Sequence, residues 1–178
     1  MPTLRVYPSS VISAGPGFTS AQLSYVLNNT TNYATYTGTV PVGGVIGGTL
    51  EFSMSALPDD ALVSQITATV IARSSATNRM AFQSVYMEDS DGILIDKTAL
   101  NNLGTGNTTC PVVFYQADMA GLVVNTLKDP SLRWTFLFRS LYGSASSTTR
   151  WQKAYLDIVY TTLTLPKVDD HMLTMHSV

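Results

Sequence analysis

Residues that could carry catalysis are few in this chain, and both of its histidines lie near the C-terminus. A serine-type triad would depend on His171 or His176 as its base, in a tail without strand periodicity. Such a base is a poor catalyst, because catalysis requires reacting groups held in a fixed geometry. Asp169 and Asp170 share this tail and could join the histidines around a metal, but such residues in a polar tail are more often solvated. The pattern favours neither a triad nor a metal site.

Paired carboxylates for glycoside hydrolysis are also scarce. The candidates are Glu51 with Glu88 or Asp157, and hydrolysis would need two of them facing each other across a cleft. Strand alternation places Glu51 on the side opposite its apolar neighbours Leu50 and Phe52. These residues are therefore interpreted as surface carboxylates, and no enzymatic activity is expected.

An acidic turn resembles the start of a calcium-binding loop. Asp89 and Asp91 precede Gly92, but the fifth and twelfth positions of the loop are Ile93 and Leu100, which supply no ligand oxygen. The segment is interpreted as a hairpin turn.

The glycine-rich stretch has two possible interpretations. Gly43, Gly44, Gly47 and Gly48 could form a phosphate-binding loop, but the Lys-Ser/Thr ending is absent and no helix signal follows. A flexible or bulged connector between strands is expected instead.

Cysteine and tryptophan give one structural and one functional expectation. Cys110 is the sole cysteine, which excludes an intrachain disulfide and indicates a small buried side chain. Trp134 shares a strand face with Phe136 and is assigned to the core, whereas Trp151 is flanked by polar residues and is predicted to be exposed. Trp151 is accordingly the candidate for stacking on a sugar ring.

Composition narrows the function classes further. Of 178 residues, 45% are hydrophobic and 12% charged, and glutamate occurs only twice, which argues against long amphipathic helices. The net charge of -2 and the scattered Lys and Arg residues argue against nucleic-acid binding. No apolar run approaches about 20 residues and no signal-peptide pattern is seen, so neither a membrane span nor export by a signal of its own is expected. The protein is expected to be made in a cytoplasm.

Period-two alternation of apolar residues predicts an all-β fold. The clearest strand covers residues 63–74, where Ile66 and Val70 share one face and Thr67 and Ile71 the other. Residues 117–127 would suit a helix as well as a strand, but the glycine at position 121 favours a strand. Other strands are predicted at residues 3–7, 21–27, 33–37, 49–55, 80–88, 93–96, 112–115, 132–141 and 150–165. Residues 1–163 are expected to form a sandwich domain, and residues 164–178 a C-terminal arm.

Several segments resemble a recurring pattern in virion proteins of tailed bacteriophages. The likeness covers roughly residues 3–163 and consists of strand patterns without reactive residues. The segments that carry it are Tyr7-Pro8-Ser9-Ser10, residues 32–36, the Leu57-Pro58 turn with the Ile66-x-x-x-Val70 strand, the Gly121-Leu122-x-Val124 segment and the Tyr155-Leu156-Asp157-x-Val159-Tyr160 strand.

This resemblance implies an antiparallel, jelly-roll-like β-sandwich in a minor tail protein or a capsid-decorating protein. It carries over neither catalytic residues nor a cofactor. The expected partners are capsid or tail subunits and further copies of the same chain, contacted in part through Met172, Leu173 and Met175 of the arm. An alternative function is that of a carbohydrate-binding sandwich, recognising a host-surface glycan through Trp151.

Overall fold

Ten strands form two antiparallel sheets in the computed structural model, which describes residues 1–27, 31–142 and 147–163. The first sheet has the order β1 (Thr3–Val6), β10 (Ser147–Thr162), β5 (Ala61–Ser74), β8 (Thr108–Tyr115), and β3 (Ala34–Gly38) also pairs with β10. The second has the order β2 (Pro8–Ala14), β4 (Val45–Phe52), β9 (Arg133–Ser140), β6 (Met80–Asp89), β7 (Gly92–Asn102). Two helices, α1 (Ser20–Leu27) and α2 (Val124–Leu127), complete the described part. The predicted all-β, jelly-roll-like sandwich is confirmed.

The core lies between the two sheets and follows the predicted alternation. In β5, the buried side chains include Ile66 and Val70, as the sequence predicts. In β9, Trp134 and Phe136 are fully buried, and Trp134 meets Phe114 of the opposite sheet with ring centroids 5.9 Å apart. Each fully buried apolar side chain of this size contributes about 1.5–3 kcal/mol to stability. Contacts between aromatic rings of the two inner faces therefore hold the layers together.

The chain changes sheets within its first residues. β1 belongs to the first sheet and ends at Val6, after which Pro8 opens β2 in the second. Proline is tolerated at the first position of an edge strand, because it can lack a hydrogen-bonding amide there. The proline therefore begins a new strand in the second sheet.

Residues 21–27 form helix α1, and the predicted strand is wrong. Thr19 and Gln22 make a reciprocal capping box: the Thr19 amide donates to Gln22 Oε1 at 2.9 Å, and the Gln22 amide to Thr19 Oγ1 at 3.2 Å. The helix buries Leu23 and Val26, which are three positions apart and so share one face. Alternation of Leu23 with Tyr25 suggested a strand, but the capping signal was also present in the sequence.

Close packing explains two of the four glycines in the glycine-rich stretch. Gly47 and Gly48 lie inside β4, so they are not part of a connector as predicted. A Cβ on Gly48 would lie 2.4 Å from the Leu23 side chain, and a Cβ on Gly47 would lie 2.1 Å from the Phe136 carbonyl oxygen. The absence of a side chain at Gly48 admits helix α1 against one face of β4, and its absence at Gly47 allows the paired strand β9 to approach closely. Gly43, with φ at 77°, does occupy a turn.

β10 is the central strand of its sheet. It pairs along its length with β5 on one edge and with β3 and β1 on the other. The predicted arm, residues 164–178, lies outside the described residues. Among those described, no helix is long and apolar enough to cross a membrane.

Candidate functional site

Trp151 is fully buried, so its predicted exposure is wrong. The ring packs against Phe138 and Phe136, with centroids 5.4 and 5.6 Å away, and its Nε1 donates to the Lys153 carbonyl oxygen at 2.9 Å. The register of β10 with β5 shifts between Trp151 and Lys153. This bulge inserts one residue, so that Trp151 and Ala154 face the same way although strict alternation would separate them. Trp151 therefore has no exposed face for a sugar or a partner.

The two glutamates lie on the outer face of the second sheet, on the strands that flank β9. Glu51 accepts a hydrogen bond from Ser10 Oγ at 2.5 Å, and Glu88 from Thr135 Oγ1 at 3.2 Å. Two strand spacings of about 4.8 Å each separate their backbones. They lie side by side on one sheet face, so they do not oppose each other as glycoside hydrolysis requires.

The acidic turn and the cysteine have the predicted structural roles. Asp89 Oδ1 accepts from the amides of Asp91 at 2.8 Å and Gly92 at 3.1 Å, and Gly92 has a φ of 134°. Cys110 is buried, and burial raises the pKa of its thiol to about 11. Within the described ranges, no three His, Cys, Asp or Glu residues lie close enough together to hold a metal ion.

The predicted contact residues of the arm, Met172, Leu173 and Met175, lie outside the described residues. His171 and His176 do so as well. The structure nevertheless fixes the point from which this segment departs, because β10 ends at Thr162 and Leu163 is described.

An apolar groove opens at this end of the sandwich, and we call it the exit groove. Its volume is about 550 Å³. One wall is the start of β5, with Leu62 and Val63, and the other is the segment between β8 and β9, with Leu122 and Val123. Leu163 lines the same groove, so the chain leaves the described structure at its rim.

Three large apolar side chains stand exposed around the groove. The exposed fractions are 54% for Leu62, 59% for Val123 and 58% for Leu163. Beneath them, Met119 and Leu127 are buried and attach the second wall to the core. Clustered exposed apolar residues rimmed by polar ones are typical of interaction sites.

Two ion pairs fix the wall between β8 and β9. Asp118 accepts from Lys97 Nζ at 2.6 Å and from the Tyr115 amide at 2.8 Å, and these hydrogen bonds lower the pKa of its carboxyl group. Lys128 donates to Asp59 across the groove and likewise lowers the pKa of that carboxyl group. Both pairs are partly exposed to solvent, which screens their attraction, so they orient the walls and add little stability.

Sequence reasoning missed the groove because it predicted a strand at residues 117–127, which is wrong. The segment is a series of turns followed by α2. The amides of Asp118 and Met119 both donate to the Tyr115 carbonyl oxygen, at 2.9 and 3.2 Å, and Gly121 has a φ of 89°. Asp118 followed by Gly121 is a turn signal that could have indicated this geometry.

No protein-family model matches the chain, and no curated protein is similar to it in sequence. Among solved structures, it is similar to an arabinose-bound MgGH51 α-L-arabinofuranosidase, with 13% identity and a TM-score of 0.49 over 86% of this chain and 26% of that one. It is also similar to a structure described as "CBM4 structure and function", with 14% identity and a TM-score of 0.39 over 74% of this chain and 87% of that one. A third is a structure of infectious bursal disease virus, Gt strain, with 13% identity and a TM-score of 0.43 over 90% of this chain and 33% of that one. The chain thus spans about a quarter of the arabinofuranosidase and a third of the viral chain, and its assignment as a β-sandwich rests on its own two sheets.

Proposed function

We propose that this chain is a non-catalytic structural protein that assembles with copies of itself and with other subunits of a virus particle. The observation that carries the proposal is the exit groove, where Leu62, Val123 and Leu163 remain exposed. Buried in an interface, apolar side chains of this size contribute up to about 1.5–3 kcal/mol each, less for the half already covered. The groove therefore offers apolar surface that a contact between subunits would bury.

The proposed occupant is the segment 164–178 of a neighbouring copy. Leu163 places the start of this segment at the rim of its own groove. The predicted contact residues Met172, Leu173 and Met175 begin nine positions later. Nine residues can extend about 30 Å, which carries them past the groove where the segment begins and within reach of an adjacent subunit. Methionine suits such a contact because its unbranched side chain adapts to an irregular surface.

The resemblance of residues 3–163 to virion proteins of tailed bacteriophages supports the proposal that this particle is a tailed bacteriophage. In such a particle, the chain would be a minor tail protein or a capsid-decorating protein. Its partners would be the capsid or tail subunits. Many copies in one particle raise the effective concentration of each arm near a neighbour's groove. Modest contacts of this kind then suffice for stable incorporation.

Truncation provides the direct test. A chain ending at Leu165 is expected to fold and to be monomeric by light scattering, whereas the full chain forms oligomers. A peptide of residues 164–178 should bind the truncated chain and should not bind its Leu62→Ser, Val123→Ser variant. Val42→Ser, which changes an exposed valine elsewhere, is the matched control. An identical oligomeric state with and without the segment would reject the proposal.

A second candidate function is glycan binding, at a place other than Trp151. On the outer face of the first sheet, Tyr7 and Tyr155 lie with ring centroids 6.1 Å apart. Arg5 stacks 4.2 Å from the Tyr155 ring centroid and is held by Asp157 through bonds of 2.7 and 2.8 Å. Neighbouring aromatic rings with a fixed polar group on an open sheet face suit a sugar ring. Glycan-array binding that is lost in Tyr155→Ala would support this function, and an array without signal for the full chain would remove it.

A further inference from the structure

Two arginines face each other at the end of the sandwich opposite the exit groove. Arg73 of β5 and Arg150 of β10 are directly paired in the antiparallel register. Side chains so paired have Cβ atoms about 4.5–5.5 Å apart, and like charges at that spacing repel. Within residues 1–27, 31–142 and 147–163, neither arginine forms an ion pair with a carboxylate. The protein therefore holds two positive charges together without a described counter-charge.

These arginines line a cleft that we call the basic cleft. It has a volume of about 300 Å³, and its remaining lining residues all carry hydroxyl groups: Ser74, Ser75, Thr105 and Thr148. Ser75 Oγ accepts from the Thr148 amide at 3.0 Å, which leaves its own proton to donate elsewhere. The lining is thus rich in hydrogen-bond donors and has no carboxylate.

One of these donors lacks a partner. Arg73 Nε is buried and has no hydrogen bond to any described residue. Leaving a buried polar group unpaired is costly, so such groups in a native fold call for an unseen partner.

The surroundings of Arg73 hold its guanidinium in place. Its Cζ lies 4.7 Å from the centroid of the Tyr33 ring. The Tyr33 hydroxyl bonds to Asn107 Oδ1 at 3.3 Å, and Asn107 Nδ2 donates to Gln152 Oε1 at 3.0 Å. Stacking on an aromatic ring orients the planar fork of an arginine before any ligand arrives.

We propose that the basic cleft binds a tetrahedral oxyanion, either phosphate or sulfate, as the free ion or as an ester group on a larger molecule. The planar forks of two arginines match the oxygen atoms of such an anion and bind them bidentately. The Ser75 hydroxyl, whose proton is not used in its bond with the Thr148 amide, supplies an additional donor for a multiply charged group. The site is independent of the exit groove and of the proposed assembly.

Thermal unfolding of the full chain tests this site, with chloride replaced by phosphate or by sulfate at constant ionic strength. At ten times the dissociation constant, the anion should raise the midpoint by about 3–6 °C. Arg150→Gln should remove most of this increase. Arg139→Gln, the same change on an exposed residue of the other sheet, should keep it and so accounts for general salt effects. In a nitrogen–proton NMR spectrum, the Nε signal of Arg73 should shift on titration in the wild type and in Arg139→Gln.

The outcomes are distinct. An unchanged Arg73 signal, or an equal rise of the midpoint in wild type and Arg150→Gln, would overturn the proposal. A response confined to the wild type and Arg139→Gln would support it. Glucose 6-phosphate then identifies the source: tighter binding than that of inorganic phosphate indicates an ester ligand, and weaker binding indicates the free anion.

Discussion

The two ends of this sandwich are built from the same pair of strands and have opposite surfaces. Residues near Leu62 and Leu163 form the apolar exit groove, and residues near Arg73 and Arg150 form the basic cleft. About 35 Å of strand separates them, because Arg73 follows Leu62 by eleven positions along β5. A regular sheet fixes the position of both ends, and the connections between strands decide what each end can bind. One rigid core can therefore support two unrelated contacts.

The largest effect is expected from a change in the core, which supports both ends of the sandwich. Trp151→Ala should destabilise the protein by about 3–5 kcal/mol, because the indole fills the core beside the β10 bulge. Trp151→Phe should cost clearly less. Urea unfolding measures both, and a loss below about 1 kcal/mol for the alanine variant would contradict the buried position.

A smaller effect separates the floor of the exit groove from its rim. Met119→Ala removes a buried side chain and should cost about 2–4 kcal/mol. Val123→Ala changes an exposed side chain and should alter the free energy of unfolding by no more than about 0.5 kcal/mol. Equal effects of the two variants would show that the wall between β8 and β9 is packed differently.

At the opposite end, removing a charge should stabilise the protein. Arg150→Thr relieves the repulsion from Arg73 and should raise the free energy of unfolding by about 0.2–1 kcal/mol in dilute chloride buffer. The gain should shrink as sodium chloride is added, because salt screens the repulsion in the wild type. Destabilisation of similar size at low salt would mean that the two guanidinium groups do not oppose each other.

The smallest effect is local and depends on pH. The pKa values of Asp59 and Asp118 are lowered by their lysine partners, so these pairs stabilise the folded state above the unfolded carboxyl pKa of about 4. That contribution is lost as the pH falls through the lowered folded values. Hydrogen exchange of amides in residues 116–128 should therefore accelerate below about pH 4, relative to amides of the basic cleft, which has no carboxylate. Asp118→Asn should weaken this dependence, and parallel acceleration at both ends would contradict the assignment.

Regular alternation made most of the sheets predictable from sequence. β5 and β9 are long, and their buried side chains recur every second residue, so the core positions of Ile66, Val70, Trp134 and Phe136 could be assigned without a structure. The pairing of strands is a long-range property that alternation does not encode. The arrangement of the two ends could not be foreseen for that reason.

The errors occurred where one local signal interrupts the alternation. A one-residue bulge turns Trp151 inward, and no residue type near Gln152 indicates a bulge. The pair Thr19 and Gln22 indicates the start of helix α1. The helix is so short, however, that the apolar pattern fits a strand equally well. The pairing of Arg73 with Arg150 depends on the register of β5 against β10, so the basic cleft could not be found from the sequence.

Cysteine cross-linking between separate chains tests the exchange of the C-terminal segment most directly. The native Cys110 is buried, and its raised pKa leaves it unreactive, so a new pair of thiols can be followed alone. A chain carrying Val123→Cys, mixed with a differently tagged chain carrying Met175→Cys, should form a disulfide between the two chains under mild oxidation. Failure of this mixture to cross-link, together with an internal disulfide in a single chain that carries both substitutions, would show that each groove holds its own segment and would contradict assembly by exchange.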